Sequence, residues 1–125
     1  MTPPSGSRLA DVGSPYRALL DDLLATAGDD TRFAIRYENE SASLAYLRED
    51  LLADDLLPRI DEITECARRT ADRPDDHART AYGDLETTVD VYEDVLVLDF
   101  RGPDREGIVV AVDRSPGAVG RLLGA

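Results

Sequence analysis

At 125 residues with 42% apolar side chains, the chain has the length and composition of one domain with one core. No run approaches the roughly 20 consecutive apolar residues that a membrane-spanning helix requires. Acidic residues outnumber basic ones 26 to 14, for a formal net charge of −12, and the lone Cys66 excludes an internal disulfide.

Residues 1–13, "MTPPSGSRLADVG", are rich in Pro, Gly and Ser and read as a flexible arm ahead of a single domain over 14–125. The arm lacks the basic and apolar regions of a secretory signal, which together with the solitary cysteine gives the expectation of a cytoplasmic protein. A helix is predicted from Ser14, a good N-cap, with Pro15 at the first position and Gly28 as its stop. Tyr16, Leu19, Leu20, Leu23, Leu24 and Ala27 recur on one face of it.

The period then changes to two. Phe33, Ile35 and Tyr37 alternate with Arg32, Ala34, Arg36 and Glu38, as in a strand. Turn-forming residues Asn39 to Ala42 lead either to a returning strand over 43–48 or directly into a helix. Pro58 is incompatible with a helix interior, so the pattern predicts a short turn over 50–55 and a helix from about 57, or a kinked helix. Leu56, Ile60, Ile63, Ala67 and Cys66 form its expected buried stripe. Residues 70–84 carry Pro, Asp and Gly and read as a loop. Three strands follow: one over 84–92, "VLVLDF" at 95–100 and "GIVVAVD" at 107–113, joined by turns at Glu93-Asp94 and at "RGPDREG". On this register Ile108, Val110 and Val112 share a core face with Leu96, Leu98 and Phe100, and Asp99 points the other way, toward solvent or a helix-side arginine. Ser115-Pro116 opens a last short helix.

This order predicts an α+β domain, in which a five-stranded antiparallel sheet made of a hairpin and a three-strand meander packs against about three helices. The succession resembles the roadblock and profilin-like folds, whose five-stranded sheet carries a long helix between strands two and three. Separately, "YLREDL" at 46–51, "YEDVLVLDF" and "GIVVAVD" are similar to an uncharacterised family of small acidic haloarchaeal proteins. That resemblance implies no particular activity.

The charge supports the same setting. Asp outnumbers Glu, every cation is arginine, and lysine is absent. In molar salt the screening length is about 3 Å, so dense carboxylates no longer repel one another at range. In dilute buffer they would loosen the fold. Acidic pairs are therefore background here, and the acidic clusters at 49–55 and 61–65 read as solvated faces. An acidic surface speaks against nucleic acid as a partner, although molar salt weakens that argument.

Chemistry-bearing motifs are sparse. His77 beside Asp75 and Asp76 lacks a second His or Cys, so no metal is expected. No nucleophile elbow, Ser-His-Asp spacing or phosphate loop occurs, so neither catalytic residues nor a cofactor are expected. Glycines in "SPGAVGRLLG" lack the dinucleotide fingerprint. Arg68, Arg69, Arg73 and Arg79 fit a helix C-terminus, with a docking patch as the alternative. The leading expectation is a non-catalytic interaction or regulatory module, homodimeric or bound to another protein of an acidic cytoplasm, without membrane contact. Its dimer face would use Tyr92, Val95 and Val97. The alternative is a small-ligand sensor that holds an anionic or planar metabolite between sheet and helices through Arg36, Tyr37, Tyr46 and Arg48.

Overall fold

A computed structural model describes residues 14–51, 53–72, 87–102 and 105–114. The expected arm, the loop with His77, Arg73 and Arg79, and the last helix lie outside these residues. Within them, helix α1 (Ser14–Ala27) is followed by strands β1 (Thr31–Tyr37) and β2 (Ala42–Leu47). A single helical turn, α2 (Ala53–Leu56), and a 3-10 turn at Leu57–Arg59 lead into α3 (Ile60–Asp72). The meander β3 (Thr87–Val91), β4 (Val95–Arg101) and β5 (Gly107–Asp113) comes last. All pairings are antiparallel, and the open sheet has the order β2-β1-β5-β4-β3.

Local chemistry accounts for these boundaries. Gly28 ends α1 with φ 57°, a left-handed conformation that costs glycine little. Residues 43–47 form a strand, with the tight turn closed by Glu38 N–H donating to the Ser41 carbonyl at 2.8 Å. Pro58 occupies the 3-10 turn and not the helix that follows, where its missing N–H would break a hydrogen bond.

The two faces of the sheet bury different side chains. On one, Leu20, Leu23, Leu24 and Ala27 of α1 pack on Ala34, Leu96, Leu98, Ile108, Val110 and Val112, with Phe100 at the margin. The expected shared face of β4 and β5 is thus the main core. A bulge in β2 separates the pairs Ala34↔Tyr46 and Ile35↔Leu44. It lets Leu44 and Leu47, three residues apart, both reach the other face, where they pack with Ile35 and Ile60. Tyr46 is thereby sent into the α1-side core.

Helix α3 buries only part of the expected stripe, with Ile63 half-buried. Ile60, Thr64, Ala67 and Arg68 are buried, while Cys66 is exposed. Spacings of four and three residues keep the buried set on one stripe, and Cys66 lies two positions from Thr64, turned about 200° around the helix. The polar members of the stripe are satisfied locally. Thr64 Oγ1 donates to the Ile60 carbonyl at 2.9 Å, and Arg68 donates to the carbonyls of Glu38 and Ser41 at 2.9 and 2.8 Å. Arg68 therefore fastens α3 to the β1–β2 turn and is not part of an exposed docking patch.

Candidate functional site: a groove floored by Asp99

Helix α3 packs over β1 and β2, and beside it the sheet face continues across β5, β4 and β3. The result is a groove of about 450 Å³, within the range of small-molecule sites. Its apolar lining comes from Phe33, Ile63, Ala67, Val97, Val109 and Ala111, and Tyr92 and Val95 also border it. Thr88, Asp90 and Asp99 line it from the sheet, and Arg32, Arg59, Glu62 and Cys66 complete its walls.

Asp99 is the unusual member. It is only 8% exposed, so the expectation that it faces solvent is corrected. Strand alternation does place it opposite the α1-side core, but that second face is itself apolar around it. Tyr37 Oη donates to Asp99 Oδ1 at 2.7 Å, although the two residues belong to strands separated by β5. Gly107 makes this possible. It pairs with Tyr37 on one side and Arg101 on the other, and a Cβ there would stand 2.6 Å from the Tyr37 hydroxyl. Only a residue without a side chain leaves the phenol room to cross β5.

Arg101 completes the cluster. Its Nε lies 3.4 Å from Asp99 Oδ2, and its NH2 donates to Thr88 Oγ1. Asp99 Oδ2 is buried and accepts no hydrogen bond among the described residues. Burial pushes the Asp99 carboxyl above its ordinary pKa, outweighing the Tyr37 hydrogen bond and the Arg101 charge, which act in the opposite direction. Burial, followed by the bond to Asp99, also holds the Tyr37 phenol far above its usual range. Tyr37 is consequently a proton donor and not a base.

Most of the chain, residues 17–123, matches the family described as Domain of unknown function (DUF7522). The chain belongs to that family. Neither the curated proteins nor the solved structures gave a match.

In this DUF7522 domain the four residues expected to bind a ligand do not converge. Arg36 lies on the α1 side, its guanidinium 4.2 Å from the centre of the Tyr16 ring and 3.6 Å from Glu106. Tyr37 is its chain neighbour and so points to the opposite face, toward Ala67 and Val109. Tyr46 is part of the α1-side core.

Arg48 sits at the end of the sheet, donating to Asp50 and Asp113 at 2.6 Å each and to the Asp29 carbonyl at 2.8 Å. Burial would raise the Asp113 carboxyl, but hydrogen bonds from Arg32 and Arg48 outweigh it and hold the group below its ordinary value. Arg36 and Arg48 therefore serve as struts. Of the expected dimer residues, Val95 and Val97 are half-buried in the groove wall, and Tyr92 is exposed at its margin.

Among the described residues no group of three or more His, Cys, Asp and Glu is placed to hold a metal ion. No described helix is long and apolar enough to cross a membrane.

Proposed function

We propose that this protein is a non-catalytic interaction module of a halophilic cytoplasm, working as a homodimer joined along the β3 edge. The observation that carries the reading is the pair Val91 and Tyr92, exposed to 52% and 55% at the end of the outermost strand. Among the described residues nothing pairs with the outer edge of β3. Tyr92 N–H donates to the Val95 carbonyl, which by antiparallel alternation turns the backbone groups of Thr87, Val89 and Val91 outward. An open edge beside exposed apolar side chains is a template for pairing with a second copy. Two strands of this kind placed antiparallel would extend the sheet across a two-fold axis.

The surroundings support the setting. With 26 acids, 14 arginines and no lysine, two copies repel in dilute buffer and approach freely in molar salt. The element order supports kinship with roadblock and profilin-like folds, since α3 stands between the second and third of five antiparallel strands.

Size-exclusion chromatography with light scattering in molar KCl is expected to give twice the 13.7 kDa chain mass. Val91→Asp, which puts a charge at the contact and leaves the ladder to β4 intact, is expected to give the monomer. Lowering the salt to about 0.1 M, where the screening length grows to about 10 Å, is expected to weaken the dimer. A strict monomer for the unmodified chain at high concentration contradicts the proposal.

A further inference from the structure

The geometry points to the groove beside α3 as a binding site for a small organic amine with an apolar body, its ammonium group seated on Asp99. The apolar body would lie on Val97, Val109 and Ala111, next to Phe33 and Ile63. Such a floor gives affinity through buried area but no direction. Direction comes from Asp99, the buried carboxylate set among these side chains.

Asp99 offers what an ammonium donor needs. Oδ1 is taken by Tyr37, while Oδ2 is buried without a hydrogen bond among the described residues. Arg101 stands at 3.4 Å from Oδ2 and balances charge, but it does not satisfy that oxygen's hydrogen-bonding capacity. A buried carboxylate oxygen without a donor is costly, and a charge-assisted N–H bond removes that cost. A small side-chain rotation of Asp99 toward the groove, which it already lines, would expose this oxygen to a ligand.

The charge around the groove favours a cation over an anion. Glu62, Asp90 and Asp99 line it against Arg32 and Arg59, Arg32 is already paired with Asp113, and Arg101 balances Asp99 at 3.4 Å. A carboxylate or phosphate ligand would meet Glu62 and Asp90 beside Asp99, with Arg59 the lining arginine that has no ion pair among the described residues. A site built to hydrogen-bond a donor also discriminates strongly against isosteres that lack it.

The test uses the full chain in molar KCl with three probes of one shape: 2-phenylethylamine, 2-phenylethanol and 3-phenylpropionate. The amine is expected to raise Tm in a concentration-dependent way, by at least about 3 °C near saturation. The alcohol and the acid are expected to bind at least about tenfold more weakly. Amide resonances of Val97, Asp99, Val109 and Ala111 are expected to shift with the amine, and Asp99→Asn is expected to lose at least about tenfold in amine affinity.

The inference is overturned if the unmodified chain does not bind the amine, or if the three probes bind alike. Shifts confined to other residues would also overturn it. If Asp99→Asn does not fold, the probe comparison and the resonance shifts on the unmodified chain decide the matter. The dimer reading is tested separately, because Val91 does not line the groove. A Val91→Asp monomer that still binds the amine leaves this inference standing whatever happens to the dimer.

Discussion

Asp99→Ala is expected to destabilise the fold by about 3–5 kcal/mol, the usual cost of removing one partner of a buried ion pair. Two groups lose their partner at once. The Arg101 side chain, buried in the same place, loses the facing carboxylate at 3.4 Å, and the fully buried Tyr37 hydroxyl loses its bond at 2.7 Å. Asp99→Asn keeps an acceptor for Tyr37 and is expected to cost less. Asp99→Leu combined with Arg101→Met removes both charges and is expected to recover only part of the loss, since a buried pair contributes little beyond what packed apolar side chains would, while the Tyr37 hydroxyl still lacks its acceptor. Urea unfolding in molar KCl measures all three variants. A loss below about 1 kcal/mol for Asp99→Ala would contradict the buried cluster, because that is the scale of a surface contact.

The pH dependence of this group has a definite sign. Because its carboxyl is raised in the folded chain, the native state binds more protons than the unfolded state between 3.8 and the raised value. Its contribution to stability therefore falls as pH rises through that window. Asp113, held below its ordinary value, acts in the opposite sense and loses its contribution as pH falls through its depressed value.

Gly107→Ala is expected to cost about 3 kcal/mol, the upper end of overpacking penalties, and Gly102→Ala about 1 kcal/mol. The closest approach predicts the reverse order. A Cβ on Gly102 would lie 1.9 Å from the Tyr16 hydroxyl, against 2.4 Å from the Phe100 carbonyl oxygen for Gly107. What differs is the ability of the neighbour to move. Tyr16 can swing its hydroxyl away, giving up its 3.2 Å bond to Glu106 and part of its stacking with Arg36. The Phe100 carbonyl belongs to the ladder between β4 and β5, and the Tyr37 ring on the other side is packed against Ala67 and Val109. Displacing that ring would also break the Tyr37–Asp99 bond. Equal costs for the two substitutions, measured by urea unfolding, would contradict the crossing of β5 by the phenol.

The regular parts of this fold were legible because their periods are local. The α1 stripe from Tyr16 to Ala27 and the alternation of β4 against β5 both predict the core that forms. The span of β2 stayed open in sequence because a bulge at Ala45 interrupts its alternation. The same bulge sends Tyr46 to the α1 side. Arg36 and Tyr37 could have been separated by alternation alone, since neighbours in a strand face opposite ways.

The groove was not legible, for a different reason. Asp99 is held by Tyr37, 62 positions away, across a strand whose Gly107 provides the opening. No spacing rule connects three such residues. One signal was present: Asp99 alternates with Val95 and Val97, and the pairs with β5 on that face are Asp99 with Val109 and Val97 with Ala111. Against 26 acids, that apolar company was the only mark distinguishing it from a surface carboxylate.

Asp99 forms the buried, hydrogen-bonded floor of the groove. A carbon-detected NMR titration of its side-chain carboxyl in molar KCl tests it most directly. The structure predicts a midpoint above the ordinary aspartate value of 3.8, with the Tyr37 hydroxyl proton slow to exchange with water at neutral pH. A midpoint at or below 3.8, together with a rapidly exchanging Tyr37 hydroxyl, would place Asp99 in solvent and rule out a buried floor.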